Sequence, residues 1–526
     1  MTNFASNILP FELERGTTDP FDDPAEGVDP KGHAFEKEDA VYVNIRGQIA
    51  AILAEIMGHS LRNHAFSVFM NGQFARLIRA DRAGIVVSQT INYRTEPGHL
   101  VAFLHGIVSI SAAEDGRHKL GFDPTANWTT LPGSHRIRVP TDNNEQWLEV
   151  KAGQIESRPN SLVGRAHCTQ EVVTCEPEPK TLWLKDGWKG FLGAEEGEEL
   201  QELREIKVLK QLAEAGIENV PRFRCRGYLR EEGQTTQTQK FAAAPWRAGT
   251  RKALETKIHG YRHYRFLQTV AGKDLWKFDD AKQLVSVLHD VLCTLSTVAK
   301  KCNLVHGDIS DRNILISNEG RGIIIDWEFA RAIEIVDLQV DPPRTGTWYF
   351  MAIRLLQAGT TFIKIRGHCI SDDAESVFWI LLYHAMNSLD HNQTSNAVIK
   401  MVARGFTEED WDEERHCGSG GTVKNQLITL GIFAAPGLEF TDNQGLSELV
   451  ALLIDELDQY YRRLRAWACN KQNKNKAYET TPLSLSLLDS FIPQFQAIRD
   501  DNYSSLTNNN RRDFDKGILD LYINGV

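Results

Sequence analysis

Residues 304–328 read Leu-Val-His-Gly-Asp-Ile-Ser-Asp-Arg-Asn-Ile-Leu-Ile, then the turn Ser-Asn-Glu-Gly-Arg-Gly, then Ile-Ile-Ile-Asp-Trp-Glu. Asp308 is followed five residues later by Asn313, and thirteen residues further on by Asp326 at the end of a β-branched run. Phosphoryl transfer requires such a set: one carboxylate to orient a hydroxyl and receive its proton, and an amide oxygen with a second carboxylate to hold Mg²⁺ against phosphates. Asp308 is therefore the candidate catalytic base, and Asn313 and Asp326 are the candidate Mg²⁺ ligands. The competing reading, a hairpin with one buried histidine and three surface polar residues, leaves the spacing and the flanking apolar runs unexplained. His306 reads as a structural residue packing the loop.

The order of these groups resembles the protein-kinase set, a His-x-Asp loop ending in Asn followed by an Asp-Phe-Gly metal site. Gly307 stands where many kinases carry the Arg that receives an activation-loop phosphate, so control independent of such a phosphate is expected. Ser310 replaces the Lys of Ser/Thr kinases; Arg312, four residues after Asp308, either supplies the missing positive charge or is a solvent-facing loop residue. Upstream, Lys185 ends the strand-like run Thr181-Leu182-Trp183-Leu184-Lys185 and fits the lysine that touches nucleotide phosphates. Glu205, one turn before Val208, Leu209 and Leu212, fits its helical partner, with Glu202 as rival. Gly164, in Ser161-Leu162-Val163-Gly164-Arg165-Ala166-His167, is the single glycine available to a phosphate-covering loop where three are usual. The stretch 341–354 resembles the peptide-docking end of a protein-kinase activation segment, with Arg354 where that pattern has a buried, ion-paired Glu. Asp372-Asp373-Ala374-Glu375-Ser376 opens an apolar helix; Asp373 is the candidate brace under the catalytic loop, and helix capping is the simpler alternative.

Size and composition bound the rest. A chain of 526 residues, 42% hydrophobic and 25% charged, has room for two or three domains and a sizeable core. A net charge of −11 argues against a sequence-independent nucleic-acid binder. The eight scattered cysteines, with no Cys-x-x-Cys, favour reduced thiols and an intracellular setting, cytoplasmic or nuclear. No signal peptide and no run of about 18 apolar residues suited to a bilayer is evident, so no membrane role is expected.

Periodicity and turn residues predict this division: an acidic disordered tail over 1–40; an N-terminal extension over 41–133 with helices at 41–62 and 97–112 and a hairpin turn at 81–84; a strand-rich lobe over 134–270 with a helix at 194–215 and a polar loop insertion near 231–257; a helical lobe over 271–467; and a polar linker and tail over 468–526.

Taken together, Arg76–Gly84, Leu120-Gly121-Phe122-Asp123-Pro124-Thr125, Leu184-Lys185-Asp186-Gly187-Trp188, His306–Ser310, Ile325-Asp326-Trp327 and Arg344–Trp348 resemble the fungal-specific protein-kinase-like family known as FunK1. The resemblance implies a bilobal protein-kinase fold that uses ATP and Mg²⁺ as cofactors. With the residues above, the expected class is α+β with an N-terminal extension on the small lobe, and the expected activity is phosphorylation of Ser/Thr hydroxyls on a protein substrate. Two alternatives stay open: a pseudokinase that binds partners without chemistry, and a small-molecule phosphotransferase of the aminoglycoside or choline type, which would lack the peptide-docking stretch.

Overall fold

In a computed structural model of the chain, the described residues are 7–59, 61–127, 135–141, 146–152, 161–191, 203–247, 258–269, 272–333, 347–357, 368–407, 410–412, 417–430, 437–469 and 486–500. The chain divides into two compact units, Met1–Gln201 with Phe223–Val270, and Glu202–Arg222 with Ala271–Val526. The first is rich in strands and the second in helices, the mixed α+β composition the sequence predicts.

In the first unit, apolar residues recurring every three or four positions build helix α1 (Ala40–His59), whose Ile45, Ile49, Leu53, Ile56 and Met57 form one buried stripe. The stripe packs on a five-stranded sheet of β1 (Phe11–Leu13), β2 (His64–Met70), β3 (Phe74–Asp81) and β4 (Gly84–Val87), with β5 (Ile91–Asn92) also on β3. Contrary to expectation, α1 is long and apolar enough to cross a bilayer. Its apolarity is accounted for on that stripe by core packing, where each fully buried large side chain contributes roughly 1.5–3 kcal/mol. Helix α2 (Gly98–Ala112) forms where the sequence places it.

The expectation of a disordered tail over 1–40 fails from residue 7 onward. Strand β1 pairs in parallel with β2, and Asp19 and Asp23 clasp the buried guanidinium of Arg76 at 2.9 and 2.8 Å. Acidic residues that suggest self-repulsion here share a cationic partner far along the chain.

A second, seven-stranded sheet runs in the order β11-β12-β10-β9-β8-β7-β6, with β6 (Ala126–Asn127), β7 (His135–Pro140), β8 (Trp147–Ala152), β9 (Cys168–Thr174), β10 (Thr181–Phe191), β11 (Arg222–Tyr228) and β12 (Gly260–Thr269). Antiparallel register sets Lys185 opposite Phe266 and Asp186 opposite Arg265. Because successive side chains alternate faces, Lys185 projects to one face of β10, and Asp186 and Trp188 to the other. On the latter face Arg265 is ion-paired with both Asp123 and Asp186, His263 binds Asp186 at 2.7 Å and stacks on Trp188, and Gln234 donates to Asp123 at 2.8 Å. Burial opposes ionisation of Asp123 and Asp186, but the Arg265 guanidinium overcomes it and holds both carboxyls below the usual range. Asp123, Asp186 and His263 lie close enough to share a metal ion. Arg265 already supplies the positive charge that such a cluster calls for.

This network also corrects the expected loop insertion near 231–257. Residues 231–247 are tied down: Gln234 joins the buried cluster, Asp81 accepts the backbone N–H groups of Gln237 and Thr238 at 2.7 and 3.0 Å, and a 3₁₀ helix spans Thr238–Ala243. Residues 248–257 lie outside the described residues.

The second unit begins with α3 (Arg204–Glu214), ended by Gly216 in the left-handed region at φ +65°. The predicted helix start at 194 falls partly outside the described residues. Its core is built on α4 (Ala281–Cys302), capped by the Asp280 side chain, and α5 (Ile370–Ser388), which is buried along nearly its whole length. Five short strands flank α4 in the chain: β13 (Lys273–Asp274) before it, and β14 (Leu304–Val305), β15 (Ile314–Ile316), β16 (Gly322–Ile324) and β17 (Arg331–Ala332) after it. Helices α6 (Ser395–Gly405), α7 (Thr422–Leu430) and α8 (Gln444–Cys469) follow. The expected polar tail over 468–526 is corrected at α9 (Ser486–Asp500), whose Leu487, Leu488, Phe491 and Phe495 are fully buried against α4, α5 and α8. Residues 470–485 and 501–526 lie outside the described residues.

Replacing Arg265 by Met strands two buried carboxylates, so Arg265→Met should cost about 3–5 kcal/mol of unfolding free energy in urea titration. A loss below about 1 kcal/mol would show that the two acids do not depend on it. Because both carboxyl pKa values are lowered in the folded state, the wild-type stabilisation should be full above about pH 4 and lost as pH falls through the folded values.

Candidate active site

The spacing of the opening motif follows from a hairpin. Strands β15 and β16 pair antiparallel with Ile314 opposite Ile324, and the Ile325 N–H donates to the Asn313 carbonyl at 2.9 Å. That bond extends the ladder by one rung, so Asn313 and Asp326 leave the same end of the hairpin side by side. Asp326 is in the left-handed region at φ +63°, a conformation that Asp tolerates better than most residues and that often marks a functional site. The preceding strand, β14, pairs with β17, so the loop 306–313 is anchored at both ends.

Inside that loop, Asp373 at the start of α5 takes the brace position: its carboxylate accepts the N–H groups of His306 and Gly307 at 2.7 and 3.1 Å and the His368 Nε2 at 2.8 Å. Burial opposes its ionisation, yet His368 and these donors hold its carboxyl below the ordinary value. His306 is fully buried, with Nε2 on the Ile325 carbonyl at 3.0 Å, the packing role read from sequence. Asn313 Nδ2 donates to the Asp308 carbonyl at 2.9 Å, which leaves its amide oxygen as the group available to a cation. Asp308 Oδ1 accepts both the N–H and the hydroxyl of Thr347 at 2.8 and 3.0 Å, and its Oδ2 accepts no hydrogen bond among the described residues.

The helical unit thus brings together Asp308, Asn313 and Asp326. Glu205 is buried in the first turn of α3, which packs against the Trp327–Phe329 turn that follows Asp326. Arg312 is exposed, and its charge bears on the half-buried phenols of Tyr349 and Tyr383. Lys185 and Gly164 belong to the strand-rich unit. Lys185 is 5% exposed, with Nζ 5.8 Å from the centre of the Phe266 ring. Gly164 adopts φ +111°, and its N–H donates to the Arg82 carbonyl at 3.0 Å while Arg82 Nη1 holds the carbonyls of Ser161 and Leu162. The Gly164 amide is therefore engaged by the hairpin turn of the N-terminal extension.

Several contributors escape a reading of the sequence. A Cβ on Gly307 would lie 3.0 Å from the Phe329 carbonyl and 3.6 Å from Arg331 Nη2, so a guanidinium from residue 331 stands beside the position where many kinases carry Arg. Arg354, expected to forfeit the usual Glu-based pair, forms a buried two-pronged ion pair of reversed polarity with Asp372. Asp372 also accepts the Cys369 N–H at 2.6 Å, so the Asp372-Asp373 pair both caps α5 and braces the loop. The Gly-Thr pair at 346–347 is a visible signal for Thr347; nothing local announces Arg331 or the partner of Arg354.

Asp372→Leu leaves the Arg354 guanidinium buried without its partner and should destabilise the fold by about 3–5 kcal/mol, whereas Arg354→Leu/Asp372→Leu should recover most of that loss. Urea unfolding of the two variants checks this; equal losses would place the cost in lost volume rather than in an orphaned charge.

A comparison with curated proteins finds no match. A family model described as fungal protein kinase matches residues 32–385, which takes in the Asp123 and Asp186 cluster, the loop at Asp308, the turn at Asp326 and the brace at Asp373. With more than half of its length matched and a strand-rich unit followed by a helical one, the chain belongs to the fungal protein kinase family and has its bilobal α+β protein-kinase-like fold.

Proposed function

We propose that the chain is an ATP- and Mg²⁺-dependent protein kinase that phosphorylates Ser/Thr hydroxyls of protein substrates. The observation that carries this reading is the state of Asp308: Thr347 fixes one carboxylate oxygen with two hydrogen bonds, and the other is left to accept the proton of an incoming hydroxyl. Asn313 and Asp326 offer hard oxygens at the same hairpin end and would hold Mg²⁺, which when bound offsets the charge of the nucleotide phosphates. Lys185 is the proposed phosphate-contacting lysine of the strand-rich unit, and Glu205 the proposed functional acid of the helical unit. Arg312 would add positive charge where Ser310 offers none. Thr347 joins the base directly to the segment Trp348–Arg354, whose half-buried Trp348 and Tyr349 would meet an extended peptide while its remaining residues are buried beneath them. Free thiols at Cys168, Cys175, Cys225, Cys293, Cys302 and Cys369 fit a reducing, intracellular setting.

The second reading, a pseudokinase, is favoured by one observation: the Gly164 N–H, the single glycine amide of the loop, is already held by Arg82. Titration with Mg²⁺ and ATP separates the two. The kinase should gain thermal stability at millimolar nucleotide, and no shift would favour the pseudokinase.

Asp308→Ala should lower phosphoryl transfer to a peptide at least about 100-fold while nucleotide binding is kept. Unchanged turnover in that variant would remove Asp308 from the mechanism.

A further inference from the structure

Lys424 is a lysine with no solvent exposure, in the first turn of α7. A buried ammonium is costly unless it is hydrogen-bonded and compensated, so its surroundings indicate what it is held for. Its Nζ donates to the carbonyls of Tyr349 and Met351 at 2.7 and 3.0 Å, and it lies 4.8 and 5.3 Å from the ring centres of Trp379 and Phe406. Both carbonyls belong to the short segment that leaves Thr347, the residue bonded to Asp308.

We propose that Lys424 is a positioning residue for substrate recognition: its ammonium grips the carbonyl side of segment 347–354 and thereby sets the surface on which a hydroxyl-bearing peptide docks. The inference rests on the protein-kinase reading and deepens it. The N–H side of the same segment has its own clamp. Glu375 accepts the Ile353 N–H at 2.8 Å, the Trp379 indole at 3.0 Å and the Tyr461 hydroxyl at 2.5 Å, and Tyr461 accepts the Arg354 N–H at 3.2 Å. Lysine and glutamate therefore hold successive positions of one stretch of backbone, Lys424 at the carbonyls of Tyr349 and Met351 and Glu375 at the N–H of Ile353. With Arg354 fixed to Asp372, the segment is anchored from Asp308 at its start to α5 at its end.

The chemistry explains a lysine at this position. Two carbonyl acceptors leave the third ammonium donor directed among aromatic faces, an arrangement a cation satisfies through the ring quadrupoles. The charged and titratable groups around this clamp are Glu375 and Asp372 on α5, Arg354, Tyr349, and Tyr460 and Tyr461 on α8. Burial lowers the Lys424 pKa, with Glu375 opposing that shift. The grip is accordingly one that alkaline pH weakens sooner than it would for an exposed lysine.

The test uses the full chain and the variants Lys424→Met, which keeps the stem and removes the donors, and Lys424→Arg, which keeps charge and donors. Hydrogen exchange of the peptide covering 347–356 should speed up at least about 10-fold in Lys424→Met, with the middle of α5 unchanged and Lys424→Arg near the wild type. KM for a peptide substrate should rise about 10-fold in Lys424→Met, with KM for ATP within about 2-fold of wild type. Unchanged exchange, or a peptide KM that moves no more than that for ATP, would overturn the proposal. Should Lys424→Met fail to fold, the wild type carries the test: exchange of 347–356, corrected for intrinsic rate, should rise between pH 7 and 9 relative to α5, and a parallel course would overturn it. The exchange readout needs no phosphoryl transfer, so an inactive wild type sinks the kinase reading and the substrate role built on it while exchange still tests the backbone grip, whereas an active wild type with an unaffected Lys424→Met sinks this inference alone.

Discussion

A carboxylate with no access to solvent, Asp373, governs the geometry of the candidate site. It spans from the first turn of α5 to two consecutive N–H groups of the loop before Asp308, and His368 pins its remaining capacity. A loop of that length has too few internal hydrogen bonds to fix its own shape, so its conformation is set from outside by a helix that is itself buried. The consequence reaches both ends of the candidate site. Asp308 follows directly from the braced residues, and Asn313 is bonded back to the Asp308 carbonyl, so the proposed base and one proposed metal ligand share a single anchor.

Three buried arginines among the described residues, in both units, are met by acids from elsewhere in the chain. Arg265 joins two acids, Arg76 another two, and Arg354 meets Asp372. Arg354 is the instructive case. Where the resembled motif has a glutamate, an arginine stands here, and an acid on α5 supplies the complementary sign, so the link between segment 347–354 and the helix is made with polarity reversed. Removing either member of such a pair costs far more than the pair itself contributes, which makes these sites points of specificity more than sources of stability.

How much of this was legible in the sequence depends on range. The Asp308, Asn313 and Asp326 spacing could be read because a tight hairpin converts sequence distance into spatial distance with little freedom. Helix α1 announced itself by apolar spacing, α2 was also expected where it forms, and α5 announced itself as an apolar run after two acids. What escaped depends on partners far away. Asp19 and Asp23 look like parts of a solvated tail until Arg76 is seen beside them, and Gln234 looks like low-complexity polar chain until Asp123 is seen accepting from it. Helix α9 was hidden by the polar stretch before it, although Leu487, Leu488, Phe491 and Phe495 carry helical spacing. The motif Leu184-Lys185-Asp186-Gly187-Trp188 was half legible: strand alternation sends its lysine and its aspartate to opposite faces, one toward the proposed nucleotide chemistry and one toward the extension.

That alternation makes the N-terminal extension inseparable from the sheet that bears Lys185. Asp123 supplies half the charge around Arg265, and the turn at Arg82 holds three backbone groups of the stretch containing Gly164. A chain trimmed to begin at the seven-stranded sheet would keep every residue proposed for chemistry and lose the scaffold that shapes two of them. The smallest fragment that keeps the candidate site shaped is therefore larger than the motifs suggest, and its natural boundary lies well before the first strand of that sheet.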